Sequence, residues 1–93
     1  MPTFEWDPVK ARRNAAKHGI DFEIAKNVFL DRAGVVEIDD SDPDEERCRI
    51  IGLVGTKVLF VVFTEPNDDV IRIISAREAN KREERRYFGQ EGP

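Results

Sequence analysis

Ninety-three residues bound the chain to one domain, 1–93, with a small core; a domain of this size buries only about two-thirds of its unfolded surface. With 40% apolar and 37% charged residues it reads as a folded chain with a heavily charged surface rather than a disordered one. No apolar run approaches the roughly 18 residues of a membrane span, and Met1-Pro2-Thr3-Phe4-Glu5-Trp6 has neither a basic nor an apolar signal segment, so a cytoplasmic protein with no membrane association is expected. The net charge of -4 argues mildly against a nucleic-acid binder, and Cys48, the one cysteine, excludes an internal disulfide or a cysteine-built zinc site.

Phe4-Glu5-Trp6 reads as a short extended start. Asp7-Pro8 then opens a helix, because Asp caps well and Pro is pre-shaped for the first helical position; Gly19 closes it after Lys17-His18. Asp21 caps a second helix of two to three turns, with Phe22, Ala25 and Phe29 on one apolar face, ending at Asp31-Arg32-Ala33-Gly34. Val35 to Ile38 is a strand, and the acidic stretch 39–46 a loop. Arg47 to Val54 is the next strand, with Arg47 and Arg49 on one face and Cys48, a small buried hydrophobe by expectation, and Ile50 on the other. Gly55-Thr56 turns it into Lys57 to Thr64, apolar on both faces and hence covered on both sides. A loop over 65–69 leads to the strand Val70 to Arg77. Asn80 and Glu83 form a capping box for a last helix, which ends at Tyr87-Phe88 before a tail at 89–93. The order β-α-α-β-β-β-β-α with hairpin-length loops predicts an α+β domain, a small antiparallel sheet with helices packed on one face.

The average charge conceals local segregation. Acids crowd 39–46, whereas Lys10, Arg12, Arg13, Lys17 and His18, and then Arg72, Arg77, Lys81, Arg82, Arg85 and Arg86, are basic stretches. There is no glycine-rich phosphate loop, no clustered metal-ligand set and no nucleophile motif, so no metal and no cofactor is expected. Scattered cations remain, and these suit phosphate chemistry: RNA cleavage needs its added negative charge stabilised, which Arg and Lys do electrostatically, and protons moved, which His, Tyr or Lys can do. Arg72, a cation in an apolar strand, is either paired with a buried acid such as Glu37 or poised in a cleft. Arg77, at a strand exit, is the stronger site candidate; Arg82 and Arg86 read as a solvated helix face. His18 at a helix end has a plain reading as a helix-terminal cation, and Tyr87 and Trp6 as packing.

Phe4-Glu5-Trp6-Asp7-Pro8, then Lys10, Asn14, Lys17-His18-Gly19, Phe22-Glu23, Ala25 and Phe29 resemble the opening of the BrnT family, toxins of bacterial type II toxin–antitoxin systems. Glu46-Arg47, Gly52, Arg72-Ile73-Ile74-Ser75-Ala76-Arg77 and Glu83-Glu84-Arg85-Arg86-Tyr87 extend the likeness over nearly the whole chain. The resemblance implies a RelE-like fold and a ribonuclease that stops translation without metal. It also implies a neutralising BrnA-like antitoxin that carries any operator DNA binding. Its matched motifs carry His18, Arg47, Arg72, Arg77 and Tyr87 as catalytic candidates, with Arg72 and Arg77 on phosphate and His18 or Tyr87 on protons. Lys17, Arg49 and Arg85 are candidate RNA contacts, and a homodimer or hetero-oligomer is left open. The alternative is a toxin-fold binding module without catalysis that acts only through a partner, for instance in operator repression.

Overall fold

The computed structural model describes residues 2–40 and 46–89; residues 41–45 of the acidic stretch and the end of the expected tail, 90–93, lie outside the described residues. The first strand, β1 (Thr3–Glu5), leads into helix α1 (Pro8–His18). Asp7 caps α1 by accepting from the Val9 and Lys10 N–H groups at 2.8 and 3.4 Å, and Gly19, at φ 70°, closes it. Only glycine enters that left-handed region cheaply, and its N–H donates to the Ala15 carbonyl at 2.8 Å.

The second helix is shorter than the spacing predicts. One α-turn, α2 (Phe22–Ala25), passes into a 3-10 segment, Lys26–Leu30. Tight contact explains the change: Val28 is fully buried against β3 (Arg47–Val54), where a Cβ at Gly52 would come within 2.7 Å of Val28 Cγ2. The segment ends as the Asp31 N–H donates to the Val28 carbonyl, three residues back.

The remaining strands are β2 (Val35–Asp39), β4 (Lys57–Asn67) and β5 (Val70–Glu78), followed by helix α3 (Lys81–Tyr87). The expected 65–69 loop is mostly strand: β4 continues to Asn67, which pairs with Val70, through an irregularity that accommodates Pro66. The sheet order is β1-β5-β4-β3-β2. Every neighbouring pair from β2 to β5 is antiparallel, but β1 runs parallel to β5, so the sheet is mixed rather than antiparallel. A hairpin forces its two strands antiparallel; β1 and β5 lie far apart in sequence and carry no such constraint.

The expectation that all helices share one face is also corrected. Side chains at opposed register positions point the same way, so Ile38, Cys48 and Phe63, then Val36, Ile50 and Val61, form rows on one face. That face carries the core: Ile20, Phe22, Ala25 and Val28 pack on Ile50, Leu59, Val61, Phe63 and Ile73. Buried Asn14 anchors α1 to β5, donating to the Ala76 carbonyl at 2.8 Å and accepting from its N–H at 3.1 Å. Trp6 meets Phe22 edge-on, and Phe29 meets Phe63. The opposite face carries Glu37, Arg49, Phe60, Val62 and Arg77, and α3 reaches it. This is why β4 is apolar on both sides: Val61 and Phe63 lie under helices, Val62 among long side chains.

Candidate functional site

The side of the sheet that meets α3 holds a polar cavity of about 420 Å³, lined by Arg49 from β3, Phe60 from β4, Arg77 from β5, and Asn80, Arg82, Glu83 and Arg86 around α3. Register builds it, because Ile51, Phe60 and Arg77 stand side by side across three strands. The Arg77 guanidinium carbon lies 4.1 Å from the Phe60 ring centroid, and that of Arg49 lies 5.9 Å from it. One aromatic ring thus serves two cations.

Two carboxylates hold these cations. Glu83 takes Arg77 by both terminal nitrogens, at 2.8 and 2.9 Å, and accepts from the Asn80 N–H at 2.9 Å. The capping box read from Asn80 and Glu83 is present, and the same Glu83 carboxylate fixes the strand-exit arginine. Glu37 bridges the other two: Oε1 accepts from Arg49 Nε at 2.9 Å and Arg86 Nη2 at 2.9 Å, and Oε2 from Arg86 Nε at 3.1 Å. For both carboxyls burial acts to raise the pKa. The hydrogen bonds and charges of the arginines outweigh it, so both are held below the ordinary value and stay ionised. The Glu83 hydrogen bonds raise Arg77 further.

Of the sequence candidates, the fold brings only Arg49 and Arg77 into this cavity. Arg72 does not meet Glu37 and does not line this cavity. It is exposed and pairs with Glu5 on β1, its register partner, at 2.7 Å. Alternation turns it outward between buried Ile71 and Ile73. Arg47 faces Asp39 across the β2–β3 ladder, and Arg85 is exposed on α3; neither lines the cavity. Lys17 and His18 are exposed in the last turn of α1, across the sheet from Arg77. Tyr87 donates its hydroxyl proton to Asp31 Oδ2 at 2.6 Å, a bond that raises the phenol pKa and lowers that of the carboxyl. Cys48 is half-buried, and burial raises its thiol, aided by Glu65 and Glu46.

Arg86 is not on a solvated helix face but half-buried on Glu37, whereas Arg82 is exposed as expected and lines the rim of the cavity. Sequence reading also passed over Phe60, which looked like core, and Glu37 in its bridging position. Their signal was faint, because only the β2–β3 and β4–β5 registers bring them to these arginines. Among the described residues no group of His, Cys, Asp and Glu is arranged to hold a metal ion, and no helix is long and apolar enough to cross a membrane.

Comparison with known proteins gives this cavity its context. No curated relative matches the chain. A solved structure described as the 1.1 Å crystal structure of the Brucella abortus ribonuclease toxin BrnT superposes with a TM-score of 0.67 at 28% identity, covering 87% of this chain and 100% of that one. A family model described as the ribonuclease toxin BrnT of type II toxin–antitoxin systems matches residues 6–83. With that match spanning most of its length, and the α+β fold shared with the Brucella toxin, the chain belongs to the BrnT family of type II toxin–antitoxin ribonuclease toxins.

Proposed function

We propose that the chain is a metal-independent endoribonuclease that cleaves cytoplasmic RNA and thereby inhibits translation, neutralised by a BrnA-type antitoxin through which any operator DNA is bound. The observation that carries this is the cavity itself. Arg49, Arg77, Arg82 and Arg86 converge on a space of about 420 Å³ floored by Phe60. Attack of a 2′-OH on the adjacent phosphodiester forms a bond to phosphorus as the bond to the 5′-oxygen breaks. A proton is lost from the 2′-oxygen and one is gained by the leaving 5′-oxygen, and negative charge is added around phosphorus on the way. Guanidiniums held in place by Glu37 and Glu83 stabilise that charge without reorganising at the moment of reaction. Phe60 offers an apolar surface beside the cations, suited to a ribose or base. The geometry favours Arg49 and Arg77, rather than Arg72 and Arg77, as the phosphate contacts.

One observation favours the second reading, a toxin-fold module that acts only through a partner. The Arg77 fork is already occupied by Glu83, and neither His18 nor the proton of Tyr87 is directed at the cavity. The two readings separate when the chain is expressed alone and total RNA is examined. Growth arrest with cut RNA, abolished by Arg49→Ala, supports the nuclease. Normal growth with intact RNA from a folded product leaves the binding module.

A further inference from the structure

The two core rows of the sheet run out from under their helical cover at β2. Ile50 is 4% exposed and Cys48 is half-buried, but their outer neighbours Val36 and Ile38 are 59% and 78% exposed. These two β-branched residues point to one side of β2. Glu37 and Asp39 point to the other, and among the described residues no strand pairs with the outer edge of β2. An uncovered edge of this kind is a template for another strand.

Charge selects among the occupants. The apolar pair is bordered by Asp39, Asp40 and Glu46, which repel a nucleic acid or an anionic membrane. A second copy fares poorly. A two-fold antiparallel pairing centred on Glu37 sets two carboxylates opposite each other, and one centred on Ile38 sets Glu37 against Asp39. Centring on Val36 pairs only Val35 to Glu37, and registers centred between residues turn the apolar pairs to opposite faces.

We infer that the β2 edge is the docking site for a strand of the antitoxin, one that alternates apolar residues opposite Val36 and Ile38 with lysine or arginine opposite Glu37 and Asp39. This rests on the family's toxin–antitoxin pairing and deepens the neutralisation proposed above. Such a strand extends both core rows by one residue, and its cations would share Glu37 with Arg49 and Arg86 and Asp39 with the facing Arg47. It also acts on the cavity: a cation brought against Glu37 competes with Arg49 and Arg86 for the carboxylate that holds them.

The test titrates the full-length antitoxin encoded beside this chain into the wild type and into the Val36→Lys/Ile38→Lys double variant, by calorimetry and without RNA. Both positions are exposed, so the variant should fold, and its affinity should fall about 30-fold or more. A Val9→Lys control on α1 should bind as wild type does. Hydrogen exchange on the wild-type complex supplies a measurement that needs no variant: amides of residues 35–39 should slow on binding. Equal affinity of the double variant, or unchanged exchange along β2, would overturn the proposal. So would a self-association of the free chain that the double variant abolishes, since a second copy would then hold the edge. Because binding is read without RNA, a chain that cuts no RNA would fail the nuclease reading alone.

Discussion

Arg77 and Glu83 meet through two parallel hydrogen bonds of 2.8 and 2.9 Å, with the guanidinium face lying 4.1 Å from the Phe60 ring centroid. That pair joins the end of β5 to the start of α3. Glu83→Ala removes it together with one half of the capping box, and strands a partly buried cation. A loss of about 2 kcal/mol is expected, read from urea unfolding, with Glu83→Gln retaining part of it. No change in the unfolding midpoint would show that the helix is held by other contacts.

Acid should unfold the chain progressively. Asp31, Glu37 and Glu83 all have folded pKa values below their ordinary ones, so the unfolded chain binds more protons as pH falls. Their contribution is complete above the ordinary values of 3.8 for Asp and 4.5 for Glu, and is lost as pH drops through the lowered values. Tyr87 has the opposite sense: its raised phenol favours the folded state below pH 10.0, and that support is lost as pH rises beyond it. Urea midpoints measured from pH 2 to 7 should decline on the acid side, and less steeply for Asp31→Asn.

Cleavage should depend on the cavity and not on the helix end across the sheet. Arg49→Ala and Arg77→Lys are each expected to lower kcat/KM on RNA by about 100-fold. Arg85→Ala and His18→Ala should change it less than about twofold. Single-turnover cleavage of one defined RNA decides this, and a His18→Ala enzyme that no longer cuts would move the proton chemistry to the other face.

Tyr87→Phe separates packing from catalysis. The hydroxyl proton is committed to Asp31, whose carboxylate also accepts from the Leu53 and Ala33 N–H groups at 2.7 and 2.9 Å. Removing it should cost about 1 kcal/mol of stability and leave the chemical step unchanged. Thermal unfolding alongside kcat tests both halves.

Gly52→Ala probes the close approach beneath the 3-10 segment. The added methyl would meet Val28 Cγ2 at 2.7 Å in a fully buried site, so the segment must shift. About 1–3 kcal/mol of destabilisation is expected. Alanine at Gly34, whose nearest neighbours lie at 3.1 Å, should be milder.

Elements with local causes were legible in the residue order. Asp7-Pro8 and Gly19 bound α1, the Asn80–Glu83 box starts α3, and Gly55-Thr56 turns β3 into β4, because caps and tight turns are closed by residues within a few positions. Long motifs spread along the chain also carried the family likeness. The remaining features arise from long-range packing. The direction of β1, the 3-10 tightening over Gly52, and the convergence of Glu37, Arg49, Phe60, Arg77 and Arg86 depend on strand register and on which face α3 meets. The same effect separates the candidates: Arg72 lies five positions before Arg77 on the same strand, yet it pairs with Glu5 on the neighbouring edge strand β1 while Arg77 pairs with Glu83 of α3. Long-range pairing sets these partners, and no local spacing encodes it.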